Sequence, residues 1–182
     1  IGKYNVLNAT AAIALCLNLG LKIKIIKKAL KNFSGVQRRL TKVFKKNKVE
    51  FYDDYAHHPT EIKFLLEGVK KVFKTHEKIC IFQPHRISRL KDLKKEFTLA
   101  FKDADTVILC PIYTAGEKIK LGFNYEDFAK DIIKNSKVKL YMIKDVIQLA
   151  NFLKKNMYGK KIVIGMGAGS ISNWIKKLPN LM

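Results

Sequence analysis

The chain has 182 residues, of which 48% are hydrophobic, so it can build one packed domain with an appendage but not two full domains. No run of about 18 apolar residues exists to cross a bilayer, and no basic segment precedes a long apolar run at the start, which speaks against a transmembrane helix and a signal peptide. The net charge of +21 would suit nucleic acid, yet of the 36 basic residues only Arg38, Arg39, Arg86 and Arg89 are Arg, and the lysines are spread over nearly every element as solvated helix faces rather than a focused patch.

In chain order, residues 5–19 (NVLNATAAIALCLNL) are Ala- and Leu-rich and are followed by Gly20, which predicts a buried helix with a glycine stop. A second helix is predicted over Ile23 to Phe33, and the two form a helical hairpin with little core of its own. Ser34-Gly35 breaks the pattern, so a boundary is expected there, with residues 1–34 as the hairpin and 35–182 as the main domain. Beyond it, strand and helix alternate. A short strand over Val49 to Tyr52 precedes a helical period through Ile62, Leu65, Leu66, Val69, Val72 and Phe73. Ile79 to Phe82 is a continuous apolar strand, of the kind buried on both faces. Leu90, Leu93, Phe97, Ala100 and Phe101 mark the next helix, and Thr106 to Leu109 the next strand. A helix through Tyr125, Phe128, Ala129, Ile132 and Ile133 has Asn124 as its expected cap. Val138 to Met142 is a strand, Val146 to Leu153 a helix, Ile162 to Ile164 the last strand, and 165–170 (GMGAGS) leads into a final helix. Five such units predict an α/β, Rossmann-like fold, with a largely parallel sheet and helices on both faces.

Ligands of such sheets bind beyond the carboxyl ends of the strands, and the polar clusters fall there. Asp53-Asp54-Tyr55-Ala56-His57-His58 follows the first strand, Gln83-Pro84-His85-Arg86-Ile87-Ser88-Arg89 the second, Pro111-Ile112-Tyr113 the third and Gly165 to Ser170 the last. A carboxylate such as Asp54 can accept from ribose hydroxyls, while an imidazole can donate to an anion or move a proton near neutral pH. The four arginines form two tight pairs, and a guanidinium fork binds carboxylate or phosphate bidentately where a Lys cannot. Adjacent His57 and His58 do not easily ligate one ion and no HxxxH spacing occurs, so no metal site is expected in this chain. The glycine run lacks the GxGxxG spacing and an acidic residue about 20 positions on, and reads as a tight turn, either structural or allowing close approach to a ligand. No GxxxxGK[ST] loop is present to cradle nucleotide phosphates. Cys16, Cys80 and Cys110 sit singly in apolar stretches, and are expected to be buried structural thiols of a protein in a reducing cytoplasm.

Together these motifs are similar to the Mur ligase family. The run 4–12 (YNVLNATAA) resembles that family's HNxxNxxAA helix at the end of its central ATPase domain, with Tyr4 in place of the usual His. The run 35–39 (GVQRR) resembles the crossing into its C-terminal domain, and DDYAHHPTE, QPHRISR, IYTAGE and GAGSIS resemble its alanine-adding branch. The resemblance covers essentially the whole chain. It implies the C-terminal, substrate-closing domain of an ATP-dependent ligase of peptidoglycan biosynthesis, joining L-alanine to UDP-N-acetylmuramate through an acyl phosphate. It also implies missing N-terminal and P-loop domains, Mg²⁺ bound mainly by those missing parts, and no turnover by this segment alone. By resemblance, Asn5 and Asn8 would approach the adenine of ATP, and Arg39 and Asp54 its ribose. His57, Arg86 and Arg89 would be catalytic, and Tyr55, His58, His85 and Ser170 would bind substrate. A related muramyl-peptide ligase is the nearest alternative; a basic nucleic-acid-binding module, resting on charge alone, is the alternative from another class, whereas the resemblance implies neither nucleic acid nor a membrane as partner.

Overall fold

The computed structural model describes residues 3–117 and 123–182, the side chains of Lys3 and Tyr4 excepted, so the substitution at Tyr4 lies outside the described residues. The chain divides into two compact units, Ile1–Gln37 and Arg38–Met182.

The first unit is the expected helical hairpin, α1 (Lys3–Asn18) and α2 (Ile23–Asn32). Gly20, at φ +79°, closes α1 while Leu21 N–H donates to the Cys16 carbonyl at 3.0 Å. The expectation that α1 is buried is corrected here. Val6, Leu7, Leu15, Leu17 and Leu19 are exposed, and among the described side chains of this unit only Ile26 is buried. A helix that is apolar around most of its circumference needs neighbours on every side, and a two-helix hairpin supplies one.

The second unit holds a six-stranded sheet in the order β1-β2-β6-β3-β4-β5, made of β1 (Thr41–Lys46), β2 (Val49–Asp54), β3 (Glu77–Phe82), β4 (Thr106–Leu109), β5 (Lys139–Met142) and β6 (Lys161–Met166). β2, β6, β3, β4 and β5 run parallel, as the alternating pattern requires. The edge strand β1 was not expected. It pairs antiparallel with β2 through a turn at Asn47 (φ +55°), and Phe44 stacks on Phe51 at 4.0 Å between centroids. Its lysine-rich sequence, with a register shift between Lys42 and Phe44, hides the period-2 alternation.

Alternation along each inner strand feeds two cores. On one face Cys80, Phe82, Val107, Leu109, Ile162 and Ile164 pack under α3 (Pro59–Val72), α4 (Ile87–Asp92), α5 (Lys94–Leu99) and α6 (Tyr125–Ser136). On the other, Phe51, Ile79, Ile81, Ile108 and Val163 pack under α7 (Val146–Asn156) and α8 (Ile171–Leu181). The single helix expected through Leu90 and Phe101 is two short ones broken at Leu93 (φ −115°, ψ 27°). Asn124 caps α6 as expected, accepting from Glu126 and Asp127 N–H at 3.0 and 3.1 Å.

The chain after β2, β3 and β4 turns to the first face and after β6 to the second, while β6 lies between β2 and β3. The loops leaving these neighbours therefore diverge and open a crevice at their carboxyl ends, a topological switch point.

Candidate functional site

The rim of that crevice is built from four loops that hold one another. Arg38 sits at φ +59° and brings its side chain over this edge. Its Nη2 donates to the Gly167 carbonyl at 2.5 Å, its Nε lies 3.6 Å from Asp53 Oδ2, and its guanidinium rests 4.7 Å from the Tyr55 ring centroid. Asp53, 2% exposed, accepts from the Ser172 hydroxyl at 2.6 Å. Arg38 thus joins the β1–β2 end to the glycine turn, whereas Arg39 is exposed and its charge acts on Asp54 and Glu61.

The Asp54 carboxylate is buried, and each oxygen accepts a backbone N–H: Leu40 at 2.7 Å and Ala56 at 2.8 Å. Burial raises its pKa, more than the two backbone donors and Arg39 lower it. This carboxylate fixes the loop, with two of its roughly four lone-pair directions still unassigned.

After β2, the His57 Nδ1 lies 2.9 Å from the Tyr55 carbonyl and 3.4 Å from Glu61 Oε2. Both neighbours only accept, so Nδ1 carries a proton, and whenever the ring is neutral its lone pair is on Nε2. Glu61 also accepts from the N–H groups of His57 and His58 at 3.0 and 3.2 Å. Burial raises the Glu61 pKa, but these two donors with His57 and Arg39 outweigh it, and the carboxyl lies below its usual range. His58 is the N-cap of α3, its Nδ1 accepting from Thr60 N–H at 3.3 Å, and Pro59 occupies the first turn. That places His58 in the capping of the helix.

After β3, Arg86 adopts φ +70° and ψ 132°, a conformation that costs a residue with a Cβ about 1–3 kcal/mol and persists only when its surroundings over-determine it. They do. Arg86 N–H donates to the Tyr113 carbonyl at 2.9 Å, Tyr113 N–H to the Pro84 carbonyl at 2.8 Å, and Ile87 and Ser88 N–H to Glu117 Oε2 at 2.8 and 3.1 Å. The Ser88 hydroxyl donates to Glu117 Oε1 at 2.6 Å. Arg86 is left exposed, while Arg89 turns back and its Nη1 reaches the His85 carbonyl at 3.2 Å and His85 Nδ1 at 3.3 Å. Since guanidinium only donates, His85 Nδ1 accepts, and the neutral ring carries its proton on Nε2. Burial, then the charges of Arg89, His57 and Arg86, hold the His85 pKa below its ordinary value. The His85 ring is 5.9 Å from that of His57 and stacked at 5.5 Å on Tyr113, so imidazoles of two loops and a phenol of a third form one row.

After β6, the glycines serve the protein's own packing. A Cβ at Gly167 (φ +148°) would lie 2.7 Å from the Gln83 carbonyl, and one at Gly169 would lie 2.5 Å from Tyr113 Cγ and 2.7 Å from Gln83 Oε1. These close approaches give the turn a structural duty, packing it against the loops after β3 and β4. Gln83, 3% exposed, accepts from Ile171 N–H at 2.9 Å and donates to the Ser170 hydroxyl at 3.0 Å.

Of the expected site residues, Tyr55, His57, His85 and Arg89 are connected to one another across two loops, and Arg86 borders them. Asp54 and Ser170 lie on the same rim but are engaged in holding loops, and His58 caps a helix. Asn5 and Asn8 are exposed, three residues apart on α1 in the first unit. Sequence reasoning gave no role to Gln83, Glu61, Tyr113 and Glu117, whose only signal was their place in the polar loops. Among the described residues no three His, Cys, Asp or Glu side chains gather as metal ligands, and no helix is long and apolar enough to cross a membrane.

The family model described as Mur ligase, glutamate ligase domain, matches residues 38–169. A UDP-N-acetylmuramate–L-alanine ligase of Pelagibacter ubique (strain HTCC1062) is 64% identical over 182 residues, which are 100% of this chain and 39% of that protein. The protein of that name from Brachyspira hyodysenteriae is 41% identical, over 99% of this chain and 39% of its own length. The crystal structure of the UDP-N-acetylmuramate-alanine ligase of Thermotoga maritima matches with a TM-score of 0.76 at 29% identity, over 99% of this chain and 38% of that one. A murein peptide ligase from Psychrobacter arcticus shares the fold, with a TM-score of 0.74 at 22% identity over 99% of this chain and 37% of that one. The chain therefore spans well under half the length of the relatives it matches.

Proposed function

The chain belongs to the Mur ligase family, and from that membership we propose that it is the carboxyl-terminal, substrate-closing domain of an ATP-dependent ligase that joins L-alanine to UDP-N-acetylmuramate. The observation that carries the reading is the convergence of Tyr55, His57, His85, Arg86 and Arg89 at one sheet edge, on loops braced by Arg38, Glu61, Gln83 and Glu117. The 64% identity to a ligase of that name favours this substrate pair over those of other family members.

In this reading the muramate carboxylate takes the γ-phosphoryl group of ATP, releasing ADP, and the acyl phosphate is attacked by the amine of L-alanine; the tetrahedral intermediate collapses to the amide and phosphate. Arg86, exposed at the rim, and Arg89, one helical turn on, supply guanidinium donors for the substrate carboxylates and the charge that develops on the intermediate. L-alanine arrives as an ammonium and must lose a proton before its nitrogen can attack. His57 suits that task, because Glu61 and the Tyr55 carbonyl hold its proton on Nδ1 and leave Nε2 as acceptor. His85, with its proton on Nε2, is a donor to an anionic oxygen. Arg39 and the unassigned lone pairs of Asp54 suit the ribose of ATP, and Asn5 with Asn8 its adenine. Mg²⁺ would neutralise phosphate charge, and its ligands are assigned to parts of the ligase outside this chain. The unpaired thiols fit a reducing bacterial cytoplasm.

The test is phosphate release by the full-length ligase with UDP-N-acetylmuramate and L-alanine, against this chain alone. Turnover that needs both substrates and the full-length protein is expected. Robust release by the chain alone, or turnover with a murein tripeptide in place of L-alanine, would contradict the reading.

A further inference from the structure

We propose that Glu117 is the positioning residue of the arginine turn, setting the direction in which Arg86 presents its guanidinium to the substrate carboxylates. The inference rests on the functional reading above and deepens it. Three groups presumed by that reading to meet substrate, His85, Arg86 and Arg89, lie within five residues, on a turn whose backbone passes through φ +70° at Arg86. Left to itself, a residue with a Cβ leaves that region. Two restraints hold it. One is main-chain pairing with the neighbouring loop, Arg86 N–H to the Tyr113 carbonyl and Tyr113 N–H to the Pro84 carbonyl. The other is the Glu117 carboxylate, which takes the two N–H groups immediately after Arg86 and the Ser88 hydroxyl, at 2.8, 3.1 and 2.6 Å.

Glu117 does this across 29 or 30 residues of sequence, from the loop that also carries Tyr113. It sits beside Arg86 in charge yet makes its hydrogen bonds to the turn, so the guanidinium stays exposed instead of being consumed in an ion pair. Those three hydrogen bonds also hold its carboxyl below the usual carboxylate range, so the clamp is charged at neutral pH. Glu117 touches no reacting atom in this account. It fixes where the donors point, and an error of about 1 Å in such placement is enough to cost a factor of 10² in rate.

The experiment is steady-state kinetics of the full-length ligase carrying Glu117→Ala or Glu117→Gln, each also combined with Arg86→Lys, with thermal midpoints recorded alongside. Gln keeps an acceptor for both N–H groups and a donor for Ser88. Expected is a rise of about tenfold in KM for L-alanine or UDP-N-acetylmuramate in Glu117→Ala with KM for ATP within about twofold, recovery in Glu117→Gln, and less than about a twofold further effect of Glu117→Ala when Arg86 is already Lys. Unchanged substrate KM in Glu117→Ala, a uniform loss in all parameters that tracks a lowered thermal midpoint, or a full additional effect in the Arg86→Lys background each overturns the role. A wild-type ligase without L-alanine-dependent phosphate release overturns the functional reading, and this role with it.

Discussion

His85 shows how a single side chain records the whole rim. Burial and the charges of Arg89, His57 and Arg86 disfavour its protonated form, so its ring titrates below the ordinary value near 6.5. The folded state therefore binds fewer protons than the unfolded chain between those two values. Its contribution to stability is complete above pH 6.5 and lost as pH falls through the folded value. The His85 ring proton, followed by NMR against pH, should give a midpoint below 6.5 that moves upward in Arg89→Ala; a midpoint at or above 6.5 in the unaltered chain would contradict the packing described. The gathering of His57, His85, Arg86 and Arg89 at one rim was legible because they stand at strand ends in a chain that otherwise carries its positive charge on Lys. The employment of His58, Asp54 and Ser170 was less so. It depends on which backbone donors a turn leaves without partners, and that is settled by φ and ψ rather than by composition.

At the scale of elements, Gly165 has a clear packing duty. It lies in the middle of the sheet, where an added Cβ would sit 2.3 Å from Ile175 Cγ1 and 2.8 Å from Ile175 Cδ1 on α8. Gly165→Ala should force α8 from the sheet and cost about 1–3 kcal/mol, read as a lowered denaturant midpoint with an unchanged slope. An unaltered midpoint would mean that α8 does not pack this closely. The four inner strands with apolar runs were readable from the sequence because both faces are buried, and their helices because the 3.6-residue period is clean. β1 was not, since an edge strand with one wet side, lysines at 42, 45 and 46 and a register shift between Lys42 and Phe44 carries no comparable signal. The break at Leu93 was likewise hidden, because α4 and α5 share one apolar stripe that the period reads as continuous.

For the molecule as a whole, both hydrophobic cores belong to Arg38–Met182, and residues 1–37 contribute only Ile26 to the buried set among the described side chains. Residues 38–182 alone should therefore unfold in a single cooperative transition with a midpoint within about 4 °C of the whole chain's. A broad, non-cooperative transition would show that the hairpin is needed for the fold. The lysine excess follows the same division of labour: Lys94 pairs with Asp131 between two helices and Lys70 with Asp103 between a helix and a turn, whereas Arg38 and Arg89 are built into the crevice.

On the proposed function, two loops at one sheet edge, braced by their neighbours, present guanidinium and imidazole groups to the carboxylates of the joined substrates. The KM for L-alanine and for UDP-N-acetylmuramate in the full-length ligase with Arg86→Ala tests it most directly. Loss of a charge-assisted hydrogen bond of about 1.5–3 kcal/mol should raise one of them roughly tenfold or more while ATP binding persists. Wild-type values for both, with undiminished phosphate release, would contradict the account.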